Sequence, residues 1–254
     1  MSNIQINIVN HTLLIALARP DKRNALTADM YAEMATALRE VNSNNDVRAV
    51  LIEGVGEHFT AGNDLSDFAQ TEGKEGASST FDFMRALMEC PLPVVVKVRG
   101  QAVGIGTTLL LHSDLVYCTD DAIFTMPFIT LGLVPEYASS LLLPKMLGHQ
   151  KAAELLMLGK PFGAQEALAM GFVNEVVAAD QLDEQVNKVL AQLIAKPKEA
   201  MRLTKSLMKS DSQAVQAHMD NEIDIFFERL TSEPAREAFA AFLEKRTPDP
   251  AKYR

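Results

Sequence analysis

The chain has 254 residues, 48% of them hydrophobic and 22% charged, and its 24 basic and 33 acidic side chains give a net charge of −9. This is ordinary globular composition, so disorder and collagen-like repeats are excluded, and at roughly 150 residues per domain the length allows one or two domains. The acidic balance argues against a nucleic-acid partner or an anionic membrane surface, since both require a positive footprint.

Ile4, Ile6 and Ile8 alternate with polar residues and predict a half-buried strand, with Thr12 to Leu17 as its hairpin partner across Asn10-His11. Thr27 is a predicted N-cap for a helix whose apolar face carries Met30, Met34, Ala37, Leu38 and Val41. Val47 to Ile52 predicts a buried strand, which makes the opening an α/β arrangement. Gly73 to Ser79 reads as a polar loop before a helix with Phe81, Met84, Leu87 and Met88. Strands follow at Val94 to Val98 and Leu115 to Tyr117, around a helix from Gly104 to Leu111. From Tyr137 helices dominate, with Gly148, Gly159 and Gly171 as stops and a last strand at Phe172 to Val177. Beyond Asp180 the chain reads as helical to about Lys245, with one apolar stripe on Leu182, Val186, Val189, Leu190 and Leu193. A second stripe falls on Ile223, Phe226, Phe227 and Leu230. A boundary near Lys196 divides a mixed core, 1–195, from a helical region, 196–254.

No apolar run reaches the ~18 residues of a membrane span, and Met1 to Gln5 lacks the pattern of a secretory signal. Cys90 and Cys118 stand alone among apolar neighbours, as expected of buried free thiols. A cytoplasmic protein is expected. There is no P-loop, HExxH or G-x-S-x-G motif, and Gly104-Ile105-Gly106 lacks the third glycine of a dinucleotide fingerprint. The five histidines sit in five different elements, which supports neither a metal site nor a triad.

Two small-residue stretches carry more information: His58-Phe59-Thr60-Ala61-Gly62-Asn63-Asp64-Leu65, and Gly100 to Thr108. Each follows a predicted strand, and the second runs into a helix. Glycine lets the backbone turn sharply and lets a ligand approach main-chain N–H groups. Two such donors aimed at one carbonyl oxygen form an oxyanion hole, and a helix N-terminus supplies unpaired donors. Tight strand-to-helix turns without a ligand would need the same residues.

Ala18 to Leu26, Phe59 to Leu65, Gly100 to Asp114, Leu131-Gly132-Leu133-Val134-Pro135-Glu136 and Ala238 to Arg246 together resemble, in order, the crotonase (enoyl-CoA hydratase/isomerase) superfamily. The resemblance implies an α/β spiral of ββα turns with a helical C-terminal region used in trimerisation. It also implies an acyl-CoA thioester as ligand, a homotrimer or dimer of trimers, and no separate cofactor, coenzyme A being part of the substrate. Its oxyanion donors would be the amides of Asn63 and Ile105, the latter a position where the family often has glycine. Ala25, Ala61, Gly62, Asp64, Leu65 and Gly104 would border the ligand. Lys22, Arg23, Lys245 and Arg246 would meet its phosphates, against their ordinary role as solvated charge.

Hydratases of this superfamily hold water with two glutamates, at positions occupied here by Thr108 and Phe128. Neither can act as a base, so water addition is disfavoured. Glu136 instead matches the catalytic carboxylate of the peroxisomal-type Δ3,Δ2-enoyl-CoA isomerases, where one base moves a proton from C2 to C4. The alternatives are another crotonase reaction and an acyl-CoA-binding protein without turnover.

Overall fold

The computed structural model describes residues 3–41, 43–64 and 73–253. Strands β1 (Ile4–Val9) and β2 (Thr12–Leu17) form the predicted hairpin. Asn10 and His11 both take positive φ in its turn, at 47° and 62°, the backbone that a two-residue hairpin turn requires. Strands β3 (Ala49–Gly54), β4 (Val94–Val98), β6 (Leu115–Thr119) and β9 (Glu175–Val177) add in parallel, in the order β1-β2-β3-β4-β6-β9. A second sheet is built from β5 (Gln101–Val103), β7 (Ile123–Thr125) and β8 (Phe162–Gly163). Successive units send one strand to each sheet, β4 then β5 and β6 then β7, as an α/β spiral of ββα turns requires.

Strands β2, β3, β4 and β6 are buried on both faces, as expected of parallel strands flanked by helices, while the edge strand β1 is largely exposed. Val50 and Ile52 of β3 and Val94, Val96 and Val98 of β4 face the main core, together with α1 (Ala28–Glu40) and α3 (Ser78–Glu89). Between them lies the four-residue α2 (Gly73–Gly76). The alternate residues Ala49, Leu51 and Val95 face a smaller cluster with Leu182, Val186, Val189 and Leu190 of α8 (Leu182–Ile194). The first predicted C-terminal stripe therefore packs on the sheet. Thr27 caps α1, its hydroxyl accepting from the Met30 N–H at 3.4 Å.

Helices α4 (Ile105–Thr108), α5 (Ser139–Leu147), α6 (His149–Leu158) and α7 (Ala164–Ala169) follow the second glycine turn. The C-terminal region adds α9 (Lys198–Met208), α10 (Ser212–Leu230) and α11 (Glu233–Leu243). Val215, Met219, Ile223, Phe226 and Phe227 of α10 join the main core. Gly148, Gly159 and Gly171 all have positive φ where helices end.

The structure differs from expectation in several local respects. The helix expected from Gly104 to Leu111 is α-helical only over Ile105–Thr108 and tightens to a 3-10 turn over Leu109–His112, because the chain must enter β6 three residues later. The strand expected at Phe172 begins at Glu175, because the N–H groups of Phe172 and Val173 bond back to Ala167 O and close α7. The Val47 strand starts at Ala49, and the Leu115 strand extends to Thr119. The Gly73 to Ser79 loop contains α2 and the start of α3. The second sheet has no signature in the sequence, since strands of two or three residues are too short for periodicity to register.

Candidate active site

The two glycine turns meet along one line of backbone pairing. Thr60 bridges Ala102 in parallel: its N–H donates to Gln101 O at 3.0 Å, and Val103 N–H donates to Thr60 O at 3.0 Å. The Thr60 hydroxyl donates to Asn24 O at 2.7 Å and accepts from Gly62 N–H at 3.1 Å. Gly62 has φ +83°, and a Cβ there would lie 2.7 Å from Val103 O. Only glycine fits, and that lets the two turns touch. Leu26 N–H donates to Gly62 O and Asp64 N–H to Leu26 O, both at 2.8 Å.

Within this ladder the amides of Thr60, Ala61, Gly62, Asp64, Val103 and Gly104 all have protein acceptors. Among the described residues the amides of Asn63 and Ile105 have none. Ile105 opens α4, and a first helical residue has no intrahelical acceptor for its N–H. Two unpaired donors on adjacent turns are what an oxyanion site requires. The Asn63 side chain is held by the Tyr31 hydroxyl, which donates to Oδ1 at 2.5 Å.

The Arg19–Leu26 turn is tied to the first loop at several points. Arg19 pairs with Asp64 at 3.0 Å and donates to Ala25 O at 2.6 Å. Ala61 N–H donates to Arg23 O at 2.9 Å, and the Arg23 guanidinium reaches Gln101 Oε1 at 3.3 Å. The fully buried Asn24 amide donates to Val55 O and His58 O, and its oxygen accepts from Arg19 N–H. Lys22 is exposed in the 3-10 turn Pro20–Lys22. Leu65 lies outside the described residues. Lys245 and Arg246 are exposed beyond α11. Arg246 is bonded to Glu237 and Glu244, and Glu237 also takes Lys252 at 2.9 Å. No hydrogen bond or ion pair among the described residues joins Lys245 or Arg246 to Lys22 or Arg23. Arg246, then Lys252, holds the Glu237 carboxyl well below the usual range.

Glu136 sits before a strained turn. Tyr137 and Ala138 take φ +60° and +54°, and both are fully buried. Left-handed backbone costs roughly 1–2 kcal/mol per non-glycine residue, so it persists only where the surroundings over-determine it. Here they do. The Tyr137 hydroxyl donates to Met84 O at 2.7 Å, and Tyr137 O accepts from His112 Nε2 at 2.7 Å, with the two rings stacked 3.9 Å apart. The Ser139 hydroxyl closes on Glu136 O at 2.6 Å. Ser140 N–H and hydroxyl both donate to Glu222 Oε1, at 3.0 and 2.5 Å.

The Glu136 side chain is buried, with Oε1 accepting from the Thr108 hydroxyl and Oε2 without a partner among the described residues. Burial pushes its pKa up to about 8, against the pull of the Thr108 bond and with a further push from Glu222. The Tyr31 and Tyr137 phenols are pushed up by burial and then by the Glu136 charge, which places all three groups in one region. Burial lowers the His112 pKa to about 3 and keeps the ring neutral. Phe128 is buried at the head of the 3-10 turn Ile129–Leu131, and its carbonyl accepts from Leu133 N–H on the way to Glu136. Thr108 and Phe128 are both buried, and neither carries a carboxylate.

Asn24 and Thr60 lie in the Ala18 to Leu26 and His58 to Leu65 stretches, whereas Tyr31, His112 and Glu222 carry no signal in the sequence. The roles of these three come from contacts distant in the chain, and none lies in a local pattern that distinguishes it. Cys90 and Cys118 are buried free thiols, as expected.

The sequence profile of the family described as enoyl-CoA hydratase/isomerase matches residues 7–251. Enoyl-CoA delta isomerase 2 of Rattus norvegicus is 35% identical over 91% of this chain, which spans 61% of the length of that protein. The 1,2-epoxyphenylacetyl-CoA isomerase of Escherichia coli K12 is 31% identical over 98% of both chains. The crystal structure of an enoyl-CoA hydratase/isomerase from Pseudoalteromonas atlantica T6c superposes with a TM-score of 0.92, at 39% identity over 98% of this chain and 99% of that one. The paired glycine turns and the isolated carboxylate thus sit in a fold whose relatives act on CoA esters, and the chain belongs to the enoyl-CoA hydratase/isomerase family.

Proposed function

We propose that the protein is an acyl-CoA isomerase that converts 3-enoyl-CoA to trans-2-enoyl-CoA, with Glu136 as the single proton shuttle. The observation that carries this reading is one buried, half-free carboxylate bonded through Thr108 to the short helix that the unpaired Ile105 amide opens, with Thr and Phe at the hydratase positions. The thioester oxygen accepts from the N–H groups of Asn63 and Ile105. The Glu136 carboxylate takes a C2 proton, and the electron pair moves onto the thioester oxygen to give a dienolate. The same carboxyl group returns its proton to C4 as the double bond settles between C2 and C3. A desolvated carboxylate with raised proton affinity suits both halves of the transfer.

In the same reading Ala25, Ala61, Gly62, Asp64, Leu65 and Gly104 border the ligand, and Thr108 orients the base. Lys22, Arg23, Lys245 and Arg246 meet the CoA phosphates, offsetting the net acidity locally. Residues 196–254 form the trimerisation region of a cytoplasmic homotrimer or dimer of trimers. Among the described residues no helix is long and apolar enough to cross a membrane. A second reading is favoured by the end-to-end match to the E. coli relative: an isomerisation of another acyl-CoA at the same oxyanion site.

The test is turnover of 3-enoyl-CoA and of 1,2-epoxyphenylacetyl-CoA by wild type and Glu136→Gln. Wild type turns over the first substrate, and Glu136→Gln loses about 10²–10⁴-fold, the range of a general acid–base group. An undiminished rate in the variant removes Glu136 as the base. Turnover of the epoxide alone replaces the first reading with the second.

A further inference from the structure

Two side-chain oxygens among the described residues are buried without a partner: Oε2 of Glu136 and Oε2 of Glu222. The second belongs to α10, in the C-terminal helical region, and nothing in the proposed reaction uses it. Its other oxygen takes both donors of Ser140, in the first turn of α5. A carboxylate is favoured at a helix N-terminus, where main-chain N–H groups lack intrahelical acceptors. One turn earlier on α10, His218 Nε2 lies 2.8 Å from the Ser140 hydroxyl and 3.5 Å from Glu222 Oε1.

The position of Ser140 gives this contact its meaning. The left-handed pair Tyr137–Ala138 lies between Glu136 and α5 and has two sets of anchors. On the near side, Tyr137 is fixed by Met84 O and His112. On the far side, Ser140 is fixed by Glu222. Both sets of anchors hold backbone that is strained at positive φ, immediately after the residue whose carboxyl meets Thr108.

We infer that Glu222 is a positioning residue for Glu136: from α10 it clamps Ser140, locks the Tyr137–Ala138 turn, and so aims the Glu136 carboxylate. The inference rests on Glu136 acting as the base. It assigns part of the site's geometry to the C-terminal region, which supplies none of the residues proposed to carry the reaction.

The experiment compares Glu222→Ala, Glu222→Gln and Glu136→Gln in the full-length protein, with kcat and KM for 3-enoyl-CoA read separately. Glutamine keeps a carbonyl oxygen for both Ser140 donors and alanine keeps none. The expected result is a tenfold or larger fall in kcat for Glu222→Ala with KM within twofold of wild type. Glu222→Gln recovers kcat to within about threefold. Full kcat in Glu222→Ala overturns the positioning role, as does an equal loss in both Glu222 variants. A full rate in Glu136→Gln instead defeats the choice of base, whatever the Glu222 variants show. If Glu222→Ala does not fold, Ser140→Ala, which removes one of the two donors, replaces it. A fall in its kcat at constant KM supports the clamp, and an unchanged kcat overturns it.

Discussion

The two halves of the site are built by different means. The proposed oxyanion half is main chain: two turns registered by a Thr60–Ala102 bridge, with glycine at the point of closest approach. On the proposed reading its chemistry uses only the amide, so the isoleucine side chain at 105 is compatible with it. The carboxylate half is side chain. Glu136 projects from a left-handed turn held by Met84, His112 and Glu222, and its reach is set by Thr108. Backbone pairing makes the first half rigid with few specific residues. The second half spends several buried polar groups to hold one carboxyl, and stays sensitive to each of them.

The sharpest way to break the contrast is Gly62→Ala. The added methyl meets Val103 O at 2.7 Å on backbone with φ +83°, so the turns must part and the Asn63 amide must move. Loss of one oxyanion donor costs about 10²–10³ in kcat. A steady-state rate within threefold of wild type would show that the turns are not the oxyanion site.

The second test uses pH. The Glu136 pKa is raised from 4.5 to about 8. Between those values the unfolded chain has lost a proton that the folded protein keeps. Stability from this group is full below 4.5 and is lost as pH rises through about 8, at up to roughly 1.4 kcal/mol per pH unit. Glu136→Gln removes the titration, so its melting temperature gains on wild type between pH 5 and pH 9. Parallel melting curves would mean that the carboxyl is not desolvated. As the base must be ionised, wild-type kcat/KM is expected to climb over the same interval and level off above about pH 8.

The smallest expected effect is the most telling about the backbone half. Ile105→Val keeps the amide and removes one buried methylene, so stability falls by about 0.5–1.5 kcal/mol. The kcat stays within about twofold. A tenfold drop would mean that the Ile105 side chain, and not its N–H alone, shapes the site.

Legibility from sequence follows the same division. Glycine marks places where main chain must turn or touch, so the Gly62 and Gly104 turns stood out by spacing alone. Apolar periodicity marks α1 and α8, and short β-branched runs mark β3 and β4, while the two faces of the sheet come only from the fold. The carboxylate half offered Glu136, read from its motif, and little else. A buried Tyr31 or His112 looks like any core residue. Glu222 looks like a charge on an amphipathic helix until the fold brings Ser140 against it. The Tyr137–Ala138 turn carries no glycine, so its left-handed backbone is imposed by tertiary contacts rather than by local preference.

The Glu222–Ser140 contact spans 82 residues of chain, and this has a consequence for folding. Contacts of long sequence separation form late, because the intervening loop must close before they can reward it. Everything in the oxyanion half lies between Arg19 and Thr125 and can pair during synthesis before α10 exists. The turn that aims Glu136 must wait until α10 has been made and docked. On the proposed reading, a nascent chain therefore holds the oxyanion amides in place before it holds a correctly aimed base, and catalytic competence arrives last, with the C-terminal helices.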